Sequence, residues 1–378
     1  MIVSRNLYLL FISSVFISNS VISAEQTPNI EWGGRIHADN TNFDNDKFVY
    51  SDGSELRRAR LFVSGDLSDN WDYKVQYDFA PDSTVLKDGF IRYSGFNNSR
   101  ITIGNFKQFS SLEELTSSNN ITFAERAMLN TLVTSRRVGI GFQNWSENYS
   151  IAVSTYTHGA NNLVRGNGYA GRFVYRPQLS DEAMLHLGLA VSREVDDDDT
   201  IRRRARPESH QDSHRLINTG KITNIDSFSK IGLEVAYVNR RFSIQSEFVR
   251  QKVDRKIGSD LTFNGYYAYA SYFLTNDSRP YNTSDAAFGT VSPSSPNGAW
   301  EFAARISNLD LSEKNITGGE ADIITFGMNY YMNRNLRFTV NYMLADSDDI
   351  AGDDDPNAIQ LRIRYTFCLL YTSDAADE

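Results

Sequence analysis

Cysteine is almost absent from this chain: one thiol, Cys368, in 378 residues. A disulfide framework is therefore excluded, and so is a cysteine-ligated metal centre. Long apolar runs are missing as well. The longest, about Leu7 to Phe16, is too short and too interrupted to cross a bilayer as a helix, and nothing later approaches eighteen apolar residues. Positive charge is in deficit, with 38 Lys and Arg against 47 Asp and Glu and a net charge of −9. That balance argues against nucleic acid as a partner. The five histidines, at 37, 158, 186, 210 and 214, stand beside no activated-serine motif. A hydrolase built on a nucleophile and a histidine base has no visible machinery here. No cysteine or ordered carboxylate cluster supports a metal site, and no cofactor is implied.

What the chain does have is aromatic residues and alternation. It carries 20 Tyr and 23 Phe while its mean hydropathy, −0.42, is polar. In the run Leu361-Arg362-Ile363-Arg364-Tyr365-Thr366-Phe367, apolar and polar residues alternate strictly. Side chains alternate faces along a strand, so one face is apolar and the other holds two arginines. Similar period-2 segments recur from 31 to 367. In one, Trp71, Tyr73, Val75, Tyr77 and Phe79 oppose Asp72, Lys74, Gln76 and Asp78. In another, Trp300, Phe302, Ala304 and Ile306 oppose Glu301, Arg305 and Ser307. A lipid-facing barrel produces this combination, because only every other strand residue must be apolar and interface girdles consume Tyr and Phe. The expected fold is all-β, a transmembrane antiparallel β-barrel. Sixteen or seventeen segments can be counted, and even strand numbers favour sixteen.

Residues 1–24 read as a secretory signal, with Arg5, an apolar stretch and small or aliphatic residues before the cut. At the other end, Phe367 closes a strand in a way that resembles the C-terminal signal of bacterial outer-membrane proteins. Residues 368–378 break the alternation and resemble a translated sequencing adapter. The expected organisation is thus a leader (1–24), a barrel (25–367) and a non-native read-through tail (368–378). Without leader and tail the net charge moves from −9 to −7, since Arg5 and three carboxylates are lost.

Short turns such as 237–241 and 332–335 suit the periplasmic side. Longer connections at 40–54, 194–200, 274–298 and 346–357 suit the outer side. The acidic runs 196–199 and 353–355 are solvated loop charge or divalent-cation bridges to outer-membrane lipid and lipopolysaccharide. The connection at about 106–135 is the longest. Its Ser110-Ser111-Leu112-Glu113-Glu114-Leu115 has the spacing of a capping box and predicts a helical turn. Long loops in compact proteins usually serve function, and in a barrel the expected task is to fold inward and narrow the lumen.

These residues resemble one family, the phosphate-selective porins of the O and P type. The resemblance rests on several blocks in order. The first are Gly34-Arg35-Ile36-His37, Leu56-Arg57-Arg58-Ala59-Arg60-Leu61 and Gly104-Asn105-Phe106-Lys107-Gln108. The loop adds Ser111-Leu112-Glu113-Glu114-Leu115-Thr116-Ser117-Ser118, Ile121-Thr122-Phe123-Ala124-Glu125-Arg126-Ala127 and Ser135-Arg136-Arg137. Farther on come 204–210, 270–275, 298–305 and 335–338. The resemblance implies a sixteen-stranded homotrimeric barrel of the bacterial outer membrane, whose third loop enters the pore. It also implies a lysine directly after the serine pair in phosphate-selective members; this chain has Asn119 there.

A phosphate ion needs donors that replace its hydration shell and positive charge that holds it in a narrow passage. Arginine's planar, permanently charged fork supplies both. Alternation nominates Arg58 and Arg60 for the lumen face, opposite Ala59 and Leu61. Arg202, Arg204 and Arg206 recur at every second position, roughly 6.5–7 Å apart in an extended segment. Arg362 and Arg364 form a third stack. The inward loop offers Lys107, Ser117, Ser118 and Arg126, followed by Arg136 and Arg137. The expected function is passive diffusion of phosphate, polyphosphate or other small anions. The alternatives are a weakly selective general porin, a plugged adhesive barrel and, with least support, an enzyme.

Overall fold

The structure, a computed structural model, describes residues 29–80, 84–160, 166–180, 182–195, 197–348 and 352–371. Alternating apolar and polar residues with many aromatics and β-branched side chains produce sixteen long strands in a single sheet. The first eight are β1 (Ile30–Asp44), β2 (Gly53–Ser68), β3 (Trp71–Asp78), β4 (Val85–Phe96), β5 (Ser99–Lys107), β6 (Arg136–Trp145), β7 (Tyr149–Tyr156) and β8 (Asn167–Tyr175). A short piece, Gln178–Ser180, continues the line of β8 along its neighbour. The second eight are β9 (Ala183–Val195), β10 (Ile225–Asn239), β11 (Phe242–Arg255), β12 (Leu261–Phe273), β13 (Ala299–Glu313), β14 (Ile316–Tyr331), β15 (Leu336–Asp348) and β16 (Asn357–Tyr371). Every neighbouring pair is antiparallel, and β1 pairs with β16 from Ile30 opposite Tyr371 to Asp44 opposite Asn357. The cylinder is closed. At that seam the Phe367 ring lies so close to Gly34 that a Cβ there would come within 2.7 Å of it.

The alternation maps onto the two surfaces as expected. Leu361, Ile363 and Tyr365 are exposed on the outside, while Arg362 and Arg364 are buried inside. Trp300, Phe302 and Ile306 likewise point out against buried Glu301 and Arg305. Aromatics gather on the outer surface at the end bearing the short turns; Trp71 lies tilted against Tyr93 at 5.0 Å and Trp300 stacks on Tyr330 at 4.5 Å. Such a belt fits a membrane–water interface. No helix among the described residues is long and apolar enough to cross a membrane.

One expectation about the connections is overturned. Segment 274–298 joins β12 to β13, so strand parity puts it at the end with the short turns and the strand ends Ile30 and Tyr371, not with the long loops. Its length had suggested the opposite side. Inward-facing side chains hold it. Arg172 donates to the carbonyl of Ala286 at 2.9 Å, His186 Nδ1 lies 2.7 Å from the Tyr281 hydroxyl, and Arg100 pairs with Asp285. The signal-peptide reading of 1–24 lies outside the described residues. Residues 368–371 extend β16 beside β1, and 372–378 lie outside.

A second departure concerns the interior. Strict alternation predicts a polar inner face, yet toward the long-loop end the wall from β10 to β16 turns apolar inside. Val249, Val253, Leu261, Phe263, Leu309, Leu311 and Ile323 are buried there in one cluster. The cluster is completed by Met128, Leu129 and Leu132 of the third loop and by Ile201, Leu216, Ile217 and Ile222 of segment 196–224. Burying these side chains against each other supplies the ordering energy for both long segments.

Candidate functional site

The third loop, 108–135, carries a helical turn, α1 (Leu112–Leu115), and later a 3-10 turn, Met128–Leu132. Ser111 caps it by accepting the Glu114 N–H at 3.1 Å, as the capping-box spacing predicts. From across the ring, the Glu247 carboxylate of β11 accepts the N–H groups of Leu112 (3.0 Å) and Glu113 (2.7 Å). The following stretch is bonded by inward-facing side chains of β14–β16. Arg337 donates to the Ile121 carbonyl at 2.9 Å and Asn329 to that of Thr122 at 3.0 Å; Arg362 reaches Ala124 and Arg364 reaches Asn119. Buried carbonyls without partners are costly, so these bonds define where the loop can lie.

Two cavities adjoin this loop. The one nearer the short-turn end, ≈ 270 Å³, is lined by Arg35, Arg60, Lys74, Arg92, Arg100, Lys107, Arg126 and Arg136, with Ser117 and Ser118. Among the described residues, only Asp88 and Asp285 oppose these eight cations on its wall. The other, ≈ 370 Å³, is lined by Arg57, Arg58, Arg126, Arg204, Arg206 and Arg215, with Glu125 and Glu208. Arg126 lies on the wall of both.

Many of these cations are already matched. Glu125 binds Arg57 (2.8 Å), Arg58 (3.4 Å) and Arg362 (2.6 Å), and Asp39 takes Arg362 as well. Arg60 pairs with Asp78 and Arg136 with Asp88, both at 2.7 Å. Arg137 and Lys230 share Glu194, at 3.2 and 3.0 Å. Arg126 donates to the carbonyls of Glu113 (2.9 Å) and Thr116 (2.9 Å) and faces the Glu114 carboxylate at 3.3 Å. Burial opposes ionisation of Glu114, but Arg126, Lys107 and Arg136 outweigh it and hold that carboxyl down at about 2. Burial pushes its neighbour Glu113 up to about 7, with Arg305 and Arg126 pulling the other way. Among the described residues, Arg35, Lys74, Arg204, Arg206 and Arg215 have no carboxylate within ion-pair distance. Arg35 donates instead to Ser117 (3.1 Å) and Ser118 (3.2 Å).

Most sequence-nominated residues therefore meet around the loop: Arg58, Arg60, Lys107, Ser117, Ser118, Arg126, Arg136, Arg204 and Arg206 line one cavity or the other. Arg362 and Arg364 face inward but hold loop carbonyls, Arg137 holds Glu194, and Arg202 donates to Asn218 at 2.9 Å away from both cavities. Asn119 bonds His37 at 3.0 Å. Sequence reasoning missed Arg57, because a bulge between His37 and Ala38 of β1 sets two β2 residues opposite one position and lets Arg57 and Arg58 both reach Glu125. It also passed over Arg35, Lys74, Arg92 and Arg100, although the same alternation marks Lys74 and Arg92 as inward. No group of His, Cys, Asp and Glu among the described residues could hold a metal ion.

A closed sixteen-stranded cylinder with an apolar outer surface, an aromatic belt and a charged interior is an outer-membrane channel, a porin. Residues 30–367 match the family model described as phosphate-selective porin O and P, and the chain belongs to that family. It is 26% identical to Porin O of Pseudomonas aeruginosa over 92% of this chain and 90% of that one. A protein of Caulobacter vibrioides is 31% identical over 78% of this chain, which spans 63% of that relative's length. Among solved structures, the fold resembles an anion-selective porin from Comamonas acidovorans (TM-score 0.58, 14% identity, 90% of this chain and 100% of that one). It also resembles the trimer form of OmpT from Vibrio cholerae (TM-score 0.55, 10% identity, 90% and 99%). The protein is thus placed in the bacterial outer membrane, and its family and fold are those of a channel.

Proposed function

We propose that this porin passes small oxyanions, phosphate first among them, by diffusion between the two cavities. The supporting observation is the position of Arg126 on both walls, flanked by cations that have no carboxylate within ion-pair distance among the described residues: Arg204, Arg206 and Arg215 above, Arg35 and Lys74 below. On this reading the third loop and segment 274–298 fold into the bore from opposite ends. The end with the short turns faces the periplasm, three copies form the working unit, and the acidic outer loops meet lipopolysaccharide. In a confined passage of low dielectric, guanidinium groups attract an anion more strongly than in bulk water, and their spacing offers successive binding positions. A weakly selective porin is the second reading. It is favoured by Asn119, whose side chain is spent on His37, and by the carboxylates that neutralise Arg57, Arg58, Arg60 and Arg136.

Chloride current through the protein in planar bilayers separates the two. Added phosphate is expected to block that current. Arg126→Ala should weaken the block roughly tenfold, the size of one lost charge-assisted bond, and Lys74→Ala by less. Current that rises linearly with chloride and ignores phosphate would establish the weakly selective reading.

A further inference from the structure

The ≈ 270 Å³ cavity is not lined by polar groups alone. Phe90 of β4, directly across the sheet from Lys74, packs with Phe106 of β5 and with Phe109 and Leu115 of the third loop as one apolar cluster on its wall. The Phe106 and Phe109 rings lie 6.0 Å apart at 47°, and the Arg92 guanidinium sits 5.9 Å from the Phe90 ring. At the loop this cluster adjoins polar groups: Lys107 Nζ contacts the carbonyls of Leu115 (3.5 Å) and Thr116 (3.2 Å), one residue before the serines that receive Arg35.

A hydrated inorganic oxyanion gains no donors from hydrocarbon, and an apolar wall raises the cost of stripping its water. A ring or short alkyl group gains from the same wall by leaving water. Phe106 and Phe109 are buried and seat the loop, whereas Phe90 and Leu115 are half-buried and open on the same space as Lys74 and Arg136. Size permits an organic occupant, since an apolar void of roughly 150 Å³ holds benzene.

We propose that this cavity is a subsite for organic phosphates and phosphonates, the phosphoryl group at Arg126 and Lys74 and the apolar substituent against Phe90, Phe106, Phe109 and Leu115. The inference rests on the anion-passage reading above and names a substrate class for it.

The test is block of chloride current in planar bilayers by inorganic phosphate, methyl phosphate and phenyl phosphate, applied to the full chain. Phenyl phosphate is expected to block at roughly one-tenth the concentration of methyl phosphate, the effect of burying part of a ring. Phe90→Ala should shrink that ratio to about twofold or less, because most of the ring's contact is removed. The wild-type ligand series stands even if that variant fails to fold. Equal block by methyl and phenyl phosphate, with inorganic phosphate also blocking, would overturn the subsite and leave the anion passage intact. No block by any of the three would remove both. Block by phenyl phosphate alone would support the subsite against the inorganic-phosphate reading.

Discussion

The inside of this barrel differs sharply from one wall to the other. On β1–β6 the inward residues include Arg35, Arg58, Arg60, Lys74, Arg92, Arg100 and Arg136, and they border open space. On β11–β14, toward the long-loop end, they include Val253, Leu261, Phe263, Leu309, Leu311 and Ile323, and they border the third loop and segment 196–224 in a dry cluster. The apolar wall holds the loop by burial, whereas the cationic wall holds it by ion pairs and hydrogen bonds and borders the two cavities. Inward residues that were polar all round would give the loop few apolar contacts, and exposed ion pairs contribute little.

That contrast can be broken most severely at Glu125, where the loop reaches the cationic wall. Glu125→Ala strands three guanidinium groups with only Asp39 beside them, so it should destabilise the loop by about 3–5 kcal/mol. Thermal unfolding in detergent and protease cleavage near 119–127 would register it; an unchanged cleavage rate would refute the anchoring role. Next in size is the dry wall. Leu129 is fully buried there, and Leu129→Ala should cost about 2–5 kcal/mol. Single-channel conductance should rise as the loop loosens, while anion preference stays with the intact opposite wall.

The smallest effect concerns pH. Glu113, held up at about 7, is largely neutral at pH 6 and largely ionised at pH 8. Its raised folded value means its contribution to stability is present below about 4.5 and is lost as pH rises through about 7. Ionisation also adds a negative charge beside Arg126. Block by sulfate, a dianion throughout this range, should therefore weaken by roughly threefold from pH 6 to pH 8. Glu113→Gln should flatten the profile; an identical slope in that variant would assign the pH effect elsewhere.

Much of this was legible beforehand. The runs 71–79, 300–307 and 361–367 disclose their faces because lipid and lumen demand opposite polarity at successive residues. Ser111 and Glu114 disclose the helical turn because a cap is a local bond. Arg57 was not legible, since the bulge that turns it inward belongs to the pairing of two strands. Nor was the side occupied by 274–298, which follows from strand parity around the whole ring. Leu261 and Phe263 look misplaced until the loop residues that cover them are known.

The order of polar and apolar residues by itself determined a membrane-spanning cylinder, its outer and inner faces and the supply of inward arginines, because those depend on period and composition. Which arginines are paired with Glu125, Asp78 or Asp88, and which have no carboxylate in reach among the described residues, was decided only when distant strands and one long loop were brought within 4 Å of each other. Charge pairing acts over ångströms in space, and the positions that pair here are 67, 18 and 48 residues apart along the chain.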